Sequence, residues 1–323
     1  MKKGILILAG VLVVQIAVAV GVNLGRKDYR AFEPQGHLLS FDMKTVNRIQ
    51  IDGSDNAEVV LNKQDDQWRL PALHDFPADQ GNVKRLMERL AKLEKGLPVA
   101  TSKGAAKRFK VDETSFERKL TLLQDDKPQA SLYVGTSPAF RKVHVRLPGE
   151  NDIRSVAFNT YEVGVKPEDW IDKAILTHKV DDIKRVALPG FSIERQDKNL
   201  VVSGLAPDEE TVSDEANRLL DRIAGLNIRA VLGTANPSDF AQEADVLRYA
   251  LTLKSGESQD FIFSKRPDDD HYTLKASGRD EAFEVDKWVV DAIKEVTRDK
   301  LVRKKAKAAE SAEKPPKEQQ ATQ

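Results

Sequence analysis

At 323 residues the chain is long enough for two ordinary domains, and at 40% apolar and 32% charged it can build cores beneath a dense charged surface. Lysine plus arginine equals aspartate plus glutamate, 51 each, so no net charge argues for a nucleic-acid or acidic partner. The absence of cysteine excludes disulfides, thiolate metal sites, cysteine nucleophiles and lipid attachment through an N-terminal cysteine.

The stretch from Gly4 to Val22 carries no charge and one amide, Gln15. As a helix it would span roughly 28 Å, close to the hydrocarbon thickness of a bilayer. Residues 1–25 are therefore expected to be a transmembrane anchor in contact with membrane lipid. Ala17-Val18-Ala19 is an A-x-A of the kind a signal peptidase cuts, which leaves a cleaved signal as the alternative. The smooth apolar run through Val20 and Val22 favours retention. Lys2 and Lys3 on one flank are nearly balanced by Arg26, Lys27 and Arg30 on the other. A three-residue tail with two lysines favours a cytoplasmic N-terminus, with the bulk of the chain across the membrane.

Residues 26–40, with Pro34 and Gly36, are expected to be a polar juxtamembrane linker. The first repeat, 41–178, opens with strands: Ile49/Ile51 and Val59/Leu61 alternate, and Asp65-Asp66 supplies a turn before Trp68. Asp79 reads as a helix start. Val83, Leu86, Met87 and Leu90 then form one apolar helix face, which Gly96 and Pro98 follow. Strands resume with Leu120/Leu122, Leu132/Val134, Val143/Val145 and Val156/Phe158, separated by turns at Asp125-Asp126, Gly135 and Pro148-Gly149.

The order then begins again in residues 179–302. RLLDRIAGL (218–226) repeats RLMERLAKL (85–93), with Ser213 as the expected N-cap. Arg185 matches Arg48, Leu251 matches Leu120, and Asp299-Lys300 matches Asp172-Lys173. The separations run 137 for the first arginine pair, 133 for Arg85/Arg218, 131 for the leucines and 127 for the aspartates. Ordered matches whose offset drifts by loop-sized steps point to a tandem duplication. Each copy reads β-β-α-β-β-β-β, with turns too short for parallel pairing. The predicted fold class is α+β: two tandem similar domains, each an antiparallel sheet covered on one face by an amphipathic helix, behind an N-terminal transmembrane helix. The boundary is expected near Thr177–Asp181. Residues 303–323 lack large apolar side chains and read as a disordered charged tail.

No motif carries a reaction. His37, His74, His144, His178 and His271 form no H-x-H or H-E-x-x-H pattern, and His144 reads as a structural strand position aligned with Tyr272. Asp268-Asp269-Asp270 is contiguous, whereas a calcium loop spaces its oxygens, so a charged hairpin tip is expected. GTSPA (135–139) lacks the second glycine of a nucleophile elbow. SKGAAKRFK (102–110) has one aromatic and reads as a solvated connection. Trp68 is expected in the core, and Trp288 on a helical stripe with Ala292, Ile293 and Val296. Catalytic, cofactor-binding and metal-ligating residues are accordingly expected to be none. Trp170 and the repeated Asp-Lys endings, Asp172, Lys173, Asp299 and Lys300, are the candidates for partner or inter-domain contact.

The membrane helix, the N-R-I-x-I strand and W-x-L entry at Val46–Leu70, the helix followed by L-T-L strands, and the Asp-Lys endings together resemble a family of bacterial envelope proteins. These carry a tandem domain of unknown function and are often encoded beside ABC-2-type transporters of the gliding-motility or auxiliary-component kind. The likeness covers about Phe41 to Val302. It departs at Phe109-Lys110-Val111 and Asp245-Val246-Leu247, where Tyr-Gly-Leu is frequent. The resemblance implies a single-pass, periplasmic, non-catalytic accessory role in the bacterial inner membrane, with an envelope or ABC transporter protein as partner and no nucleic acid. The alternative is a receptor for a small molecule or glycan in a cleft between the repeats.

Overall fold

The computed structural model describes residues 36–234, 245–265 and 270–305, together with 10–12, 14–16 and 18. Those N-terminal positions are helical, and Val11, Leu12, Val14 and Ile16 are exposed. The rest of the expected anchor lies outside the described residues. Among the described residues no helix is long and apolar enough to cross a membrane. The protein is a sheet-rich α+β chain that divides into two compact units, 1–172 and 173–323.

The first unit opens with β1 (Arg48–Gly53), β2 (Glu58–Gln64), β3 (Gln67–Leu70) and β4 (Phe76–Pro77), an antiparallel meander. Alternation turns Ile49, Ile51, Val59 and Leu61 inward, and all four are buried. Asp65 and Asp66 form the β2–β3 turn with φ of 49° and 62°, the double-positive pattern that matches strand twist. Helix α1 (Gln80–Ala91) starts at Asp79, whose carboxylate accepts from the Asn82 N–H at 2.8 Å. Val83, Leu86, Met87 and Leu90 are buried on its inner face. Gln80 ties the helix to β3: its Oε1 accepts from the Trp68 N–H at 2.8 Å and its Nε2 donates to the Trp68 carbonyl at 2.9 Å.

Next come β5 (Pro98–Ala100), α2 (Lys103–Arg108) and the small hairpin β6 (Val111–Asp112) and β7 (Ser115–Phe116). Four long-sheet strands complete the unit: β8 (Arg118–Gln124), β9 (Lys127–Val134), β10 (Val143–Arg146) and β11 (Ile153–Val156). The sheet order is β4-β3-β2-β1-β8-β9-β10-β11-β5. Three sequence expectations change here. First, β4 and β5 are additional strands. Second, the outer sheet face is not left to water throughout: all four residues of β10 are buried. Ala105, Ala106 and Val111 pack with Tyr133 and Ile153, and Phe109 and Phe116 join the cluster. Residues 102–110 are therefore a cover with a charged exterior, not a solvated connection. Third, the end of the supposed linker packs down, with Leu38 and Leu39 buried and the Leu38 N–H donating to the Leu93 carbonyl at 2.6 Å.

The second unit contains β12 (Ile183–Leu188), β13 (Phe191–Gln196), β14 (Asn199–Val202), β15 (Glu209–Thr211), α3 (Ser213–Ala224), β16 (Ala230–Gly233) and β17 (Asp245–Leu253). It continues with β18 (Ser258–Lys265), β19 (His271–Ala276), β20 (Ala282–Asp286), α4 (Lys287–Lys294), α5 (Arg298–Leu301) and β21 (Val302–Lys304). Its sheet order, β14-β13-β12-β17-β18-β19-β20-β16, repeats that of the first unit without β4. On α3, Ala216, Leu219, Leu220 and Ile223 are buried, each 133 residues after its buried counterpart on α1. Ser213 is the first helical residue; the N-cap is Val212.

Strand register corrects two of the sequence matches. Ile49 faces Leu122 in the first unit, and Val186 faces Leu251 in the second. With Val134 and Phe263 as equivalents, Leu251 therefore stands at Leu122 rather than at Leu120, and Arg185 keeps its match to Arg48. Likewise Val134 faces Val145 and Phe263 faces Leu274, which aligns Tyr272 with Val143 and His144 with Thr273. Residues 303–305, placed in the expected tail, are part of the fold. β21 pairs with β15, and Arg303 Nε meets Glu210 at 2.7 Å; residues 306–323 lie outside the described residues.

Candidate functional site

An open cleft of about 1000 Å³ runs along α1 in the first unit. One wall is the helix from Asn82 to Leu93. The other is the chain leaving β11, Ser155 to Ala157, and the 3-10 turn Thr160–Val163, with Arg141 and Lys142 of the β9–β10 loop at its rim. Leu86, Leu93 and Val156 are the buried apolar part of its lining.

The charges in this cleft do not cancel. Arg89 Nε meets Glu162 at 3.4 Å and its Nη2 donates to the Ala157 carbonyl at 3.1 Å. Glu88 faces Lys84 at 3.9 Å. Arg85, Lys92, Arg141 and Lys142 are exposed and make no ion pair among the described residues; Glu94 is the one lining carboxylate in the same position. Four unpaired cations against one unpaired carboxylate on a concave wall give a net positive potential, open to salt screening. The rim loop is braced by Ser137, whose hydroxyl shares its one proton between the carbonyls of Ala139 (2.9 Å) and Lys142 (2.6 Å). It presents Phe140, 86% exposed, beneath the Arg141 guanidinium at 5.0 Å.

The same location in the second unit is occupied. There the chain leaving β20 forms α4, which packs on α3 with Val290 and Ile293 buried. Arg222, 133 residues after Arg89, donates to the Ala292 carbonyl in the last turn of α4 at 2.9 Å. Tyr272 at the start of β19 donates to Asp291 Oδ1 at 2.9 Å. In the first unit the corresponding chain makes only the short turn Thr160–Val163, which contacts β8 and leaves the flank of α1 open. The rim charges differ too: by strand register, Asp270 and His271 stand where Arg141 and Lys142 stand.

The residues singled out from sequence fall elsewhere. Trp170 is 1% exposed and its Nε1 donates to the Gly164 carbonyl at 2.9 Å, so the ring belongs to the interior of the first unit and offers no partner surface. The Asp172 N–H donates to the Pro77 carbonyl at 2.9 Å in that unit. In the second unit the Lys173 carbonyl accepts from the Ile228 N–H at 3.0 Å, and Lys300 Nζ donates to the Glu295 carbonyl at 2.9 Å; Asp299 is exposed in α5. No described hydrogen bond or ion pair joins Lys173 to Asp299 or Lys300. Trp288 is 71% exposed, because the buried positions of α4 are Val290 and Ile293 rather than a stripe through residue 288.

His144 is held structurally, stacked on Phe109 at 4.0 Å with its Nδ1 3.0 Å from Thr136 Oγ1. Among the described residues no group of three or more histidines and carboxylates is placed to hold a metal ion; Asp268 and Asp269 lie outside them. The cleft along α1 was missed in sequence, since its cations come from α1 and a distant loop. The one available signal was the unequal length of chain between the last strand and the Asp-Lys ending in the two copies.

No curated protein and no solved structure matches the chain. One family model matches residues 68–245, more than half of the chain, from Trp68 in β3 to the first residue of β17. The chain belongs to that family, described as a domain of unknown function, DUF4340.

Proposed function

We propose that this protein is a non-catalytic accessory protein of the bacterial envelope. In this reading it is anchored in the inner membrane by residues 1–25, presents both units in the periplasm and associates with a membrane complex, an ABC-type transporter first among them. The uncharged run from Gly4 to Val22 supports the tether. The observation that carries the interaction role is the open cleft along α1, a surface that the second unit covers with its own helix. Its open, charged character suits a protein surface better than an enclosed small-molecule pocket.

The test is affinity purification of the full chain from gently solubilised membranes. Co-purification of a transporter permease or ATPase is the expected result. Recovery without any membrane or envelope protein, under conditions that hold known complexes together, overturns the reading. An alkaline-phosphatase fusion after Lys305 checks orientation: it is expected to be active, and an inactive fusion places the units on the cytoplasmic side.

A further inference from the structure

We infer that the cleft along α1 is the seat of an acidic amphipathic helix from a partner protein, docked as α4 docks on α3. This rests on the interaction role proposed above and specifies its occupant.

The shape argument comes from the duplication. The buried faces of α1 and α3 coincide residue for residue at a separation of 133, and the sheets share one strand order. The flank of α3 beside the β19–β20 end holds α4, eight residues long, through Val290, Ile293 and the bond from Arg222 to the Ala292 carbonyl. The flank of α1 beside the β10–β11 end is open along its whole length, from Asn82 to Leu93, which is about three helical turns. A seat that accepts a helix in one copy has kept its walls and lost its occupant in the other.

The charge argument sets the chemistry of that occupant. α4 carries Lys287 and Lys294 against one acid, Asp291, and lies by Asp270 and Asp286. The first unit reverses the sign. Arg141 and Lys142 stand at the strand positions of Asp270 and His271, and Lys92 stands where the second unit has Gly225. Arg85 has no ion-pair partner among the described residues, whereas its counterpart Arg218 meets Glu215 at 2.5 Å. A helix bearing an acidic stripe beside its apolar one would neutralise these cations where the wall is backed by Leu86, Leu93 and Val156.

The test uses the full chain in detergent micelles and two fluorescein-labelled peptides built on residues 287–296. In the acidic peptide both lysines become glutamate; in the basic peptide Asp291 and Glu295 become lysine. The acidic peptide is expected to bind at least about tenfold more tightly and to weaken as salt is raised. Arg85→Glu with Lys92→Glu, and separately Arg141→Ala with Lys142→Ala, should each lower its affinity by about tenfold or more while leaving the thermal midpoint unchanged. Equal affinity for the two peptides, or binding indifferent to both double substitutions, overturns the inference. Binding of phosphatidylglycerol vesicles that the double substitutions abolish, without binding of the acidic peptide, assigns the cleft to lipid headgroups and also overturns it. If envelope proteins still co-purify with the wild-type chain in that case, the helix seat fails and the accessory role stands.

Discussion

Two side chains show how an interior position is set by neighbours distant in the chain. Tyr249 on β17 is 1% exposed, stacked on Phe261 at 4.8 Å and tilted against Phe263 at 5.7 Å. Its hydroxyl has no hydrogen-bond partner among the described residues, and burial pushes its ionisation far above the ordinary phenol range. A buried hydroxyl without a partner costs its desolvation. Tyr249→Phe is expected to raise stability by about 1 kcal/mol, read as a higher urea midpoint; a lower midpoint would show that the hydroxyl is bonded. His144 is the opposite case, a group whose neutral form the fold requires. Burial lowers its pKa below 6.5, and Arg108 pushes the same way against a hydrogen bond to the Thr136 backbone. The unfolded chain takes up a proton near the ordinary value while the folded chain does not. Stability from the neutral ring is therefore complete above the unfolded pKa and lost as pH falls through the folded one. The urea midpoint should drop between about pH 7.5 and about pH 5, and His144→Phe should shrink that drop whatever its absolute stability. An identical drop in the variant would assign the pH dependence to other groups. That His144 sits on a strand was legible in the alternation. Its stacking on Phe109 was not, because residues 102–110 have no periodic pattern to place them.

Among elements, α1 and α3 were legible because four large or medium apolar residues at i, i+3, i+4 and i+7 admit one conformation. β5 and β16 were not: at three and four residues they are too short to alternate, and their partners, β11 and β20, lie far along the chain. The cover formed by α2 and the β6–β7 hairpin was missed because alanines do most of its helix packing, and alanine marks neither core nor surface. Gly135 shows how tightly that cover lies. A Cβ there would meet the carbonyl oxygens of Phe109 and Lys110, the latter at 2.5 Å, while the Thr136 N–H donates to the Phe109 carbonyl at 2.9 Å. Backbone on both sides cannot yield as a side chain can. Gly135→Ala is predicted to destabilise the first unit by about 3 kcal/mol and to quench Phe109–His144 stacking, followed by denaturation and by the His144 ring chemical shifts. A change within a few tenths of a kcal/mol would mean that the cover is held loosely.

At the scale of the molecule, the duplication was readable from ordered matches, and the shared sheet order gives it a structural form. The detailed register was not readable, because a one- or two-residue bulge moves a ladder without disturbing composition, as at Leu122/Leu123. Nor was the chief difference between the units. The chain after β20 becomes α4, and the chain after β11 becomes a short turn, a divergence in length and charge that identical core patterns conceal. In the proposed reading, the conserved core makes two similar scaffolds, and the altered flank gives the first of them an external partner.

The pairing of β1 with β8 also has a kinetic consequence. The meander β1–β3 is complete once Gln67–Leu70 has been synthesised, yet β1 then waits about fifty residues for β8. During that interval it is a bare hydrogen-bonding edge. The second copy creates the same hazard at β12, so a late strand meets two edges of like design, the situation in which tandem repeats misassemble. The bulge in the β12–β17 ladder gives the second copy a register that the β1–β8 ladder does not share. That irregularity discourages exchange of strands between the copies while the chain is still emerging.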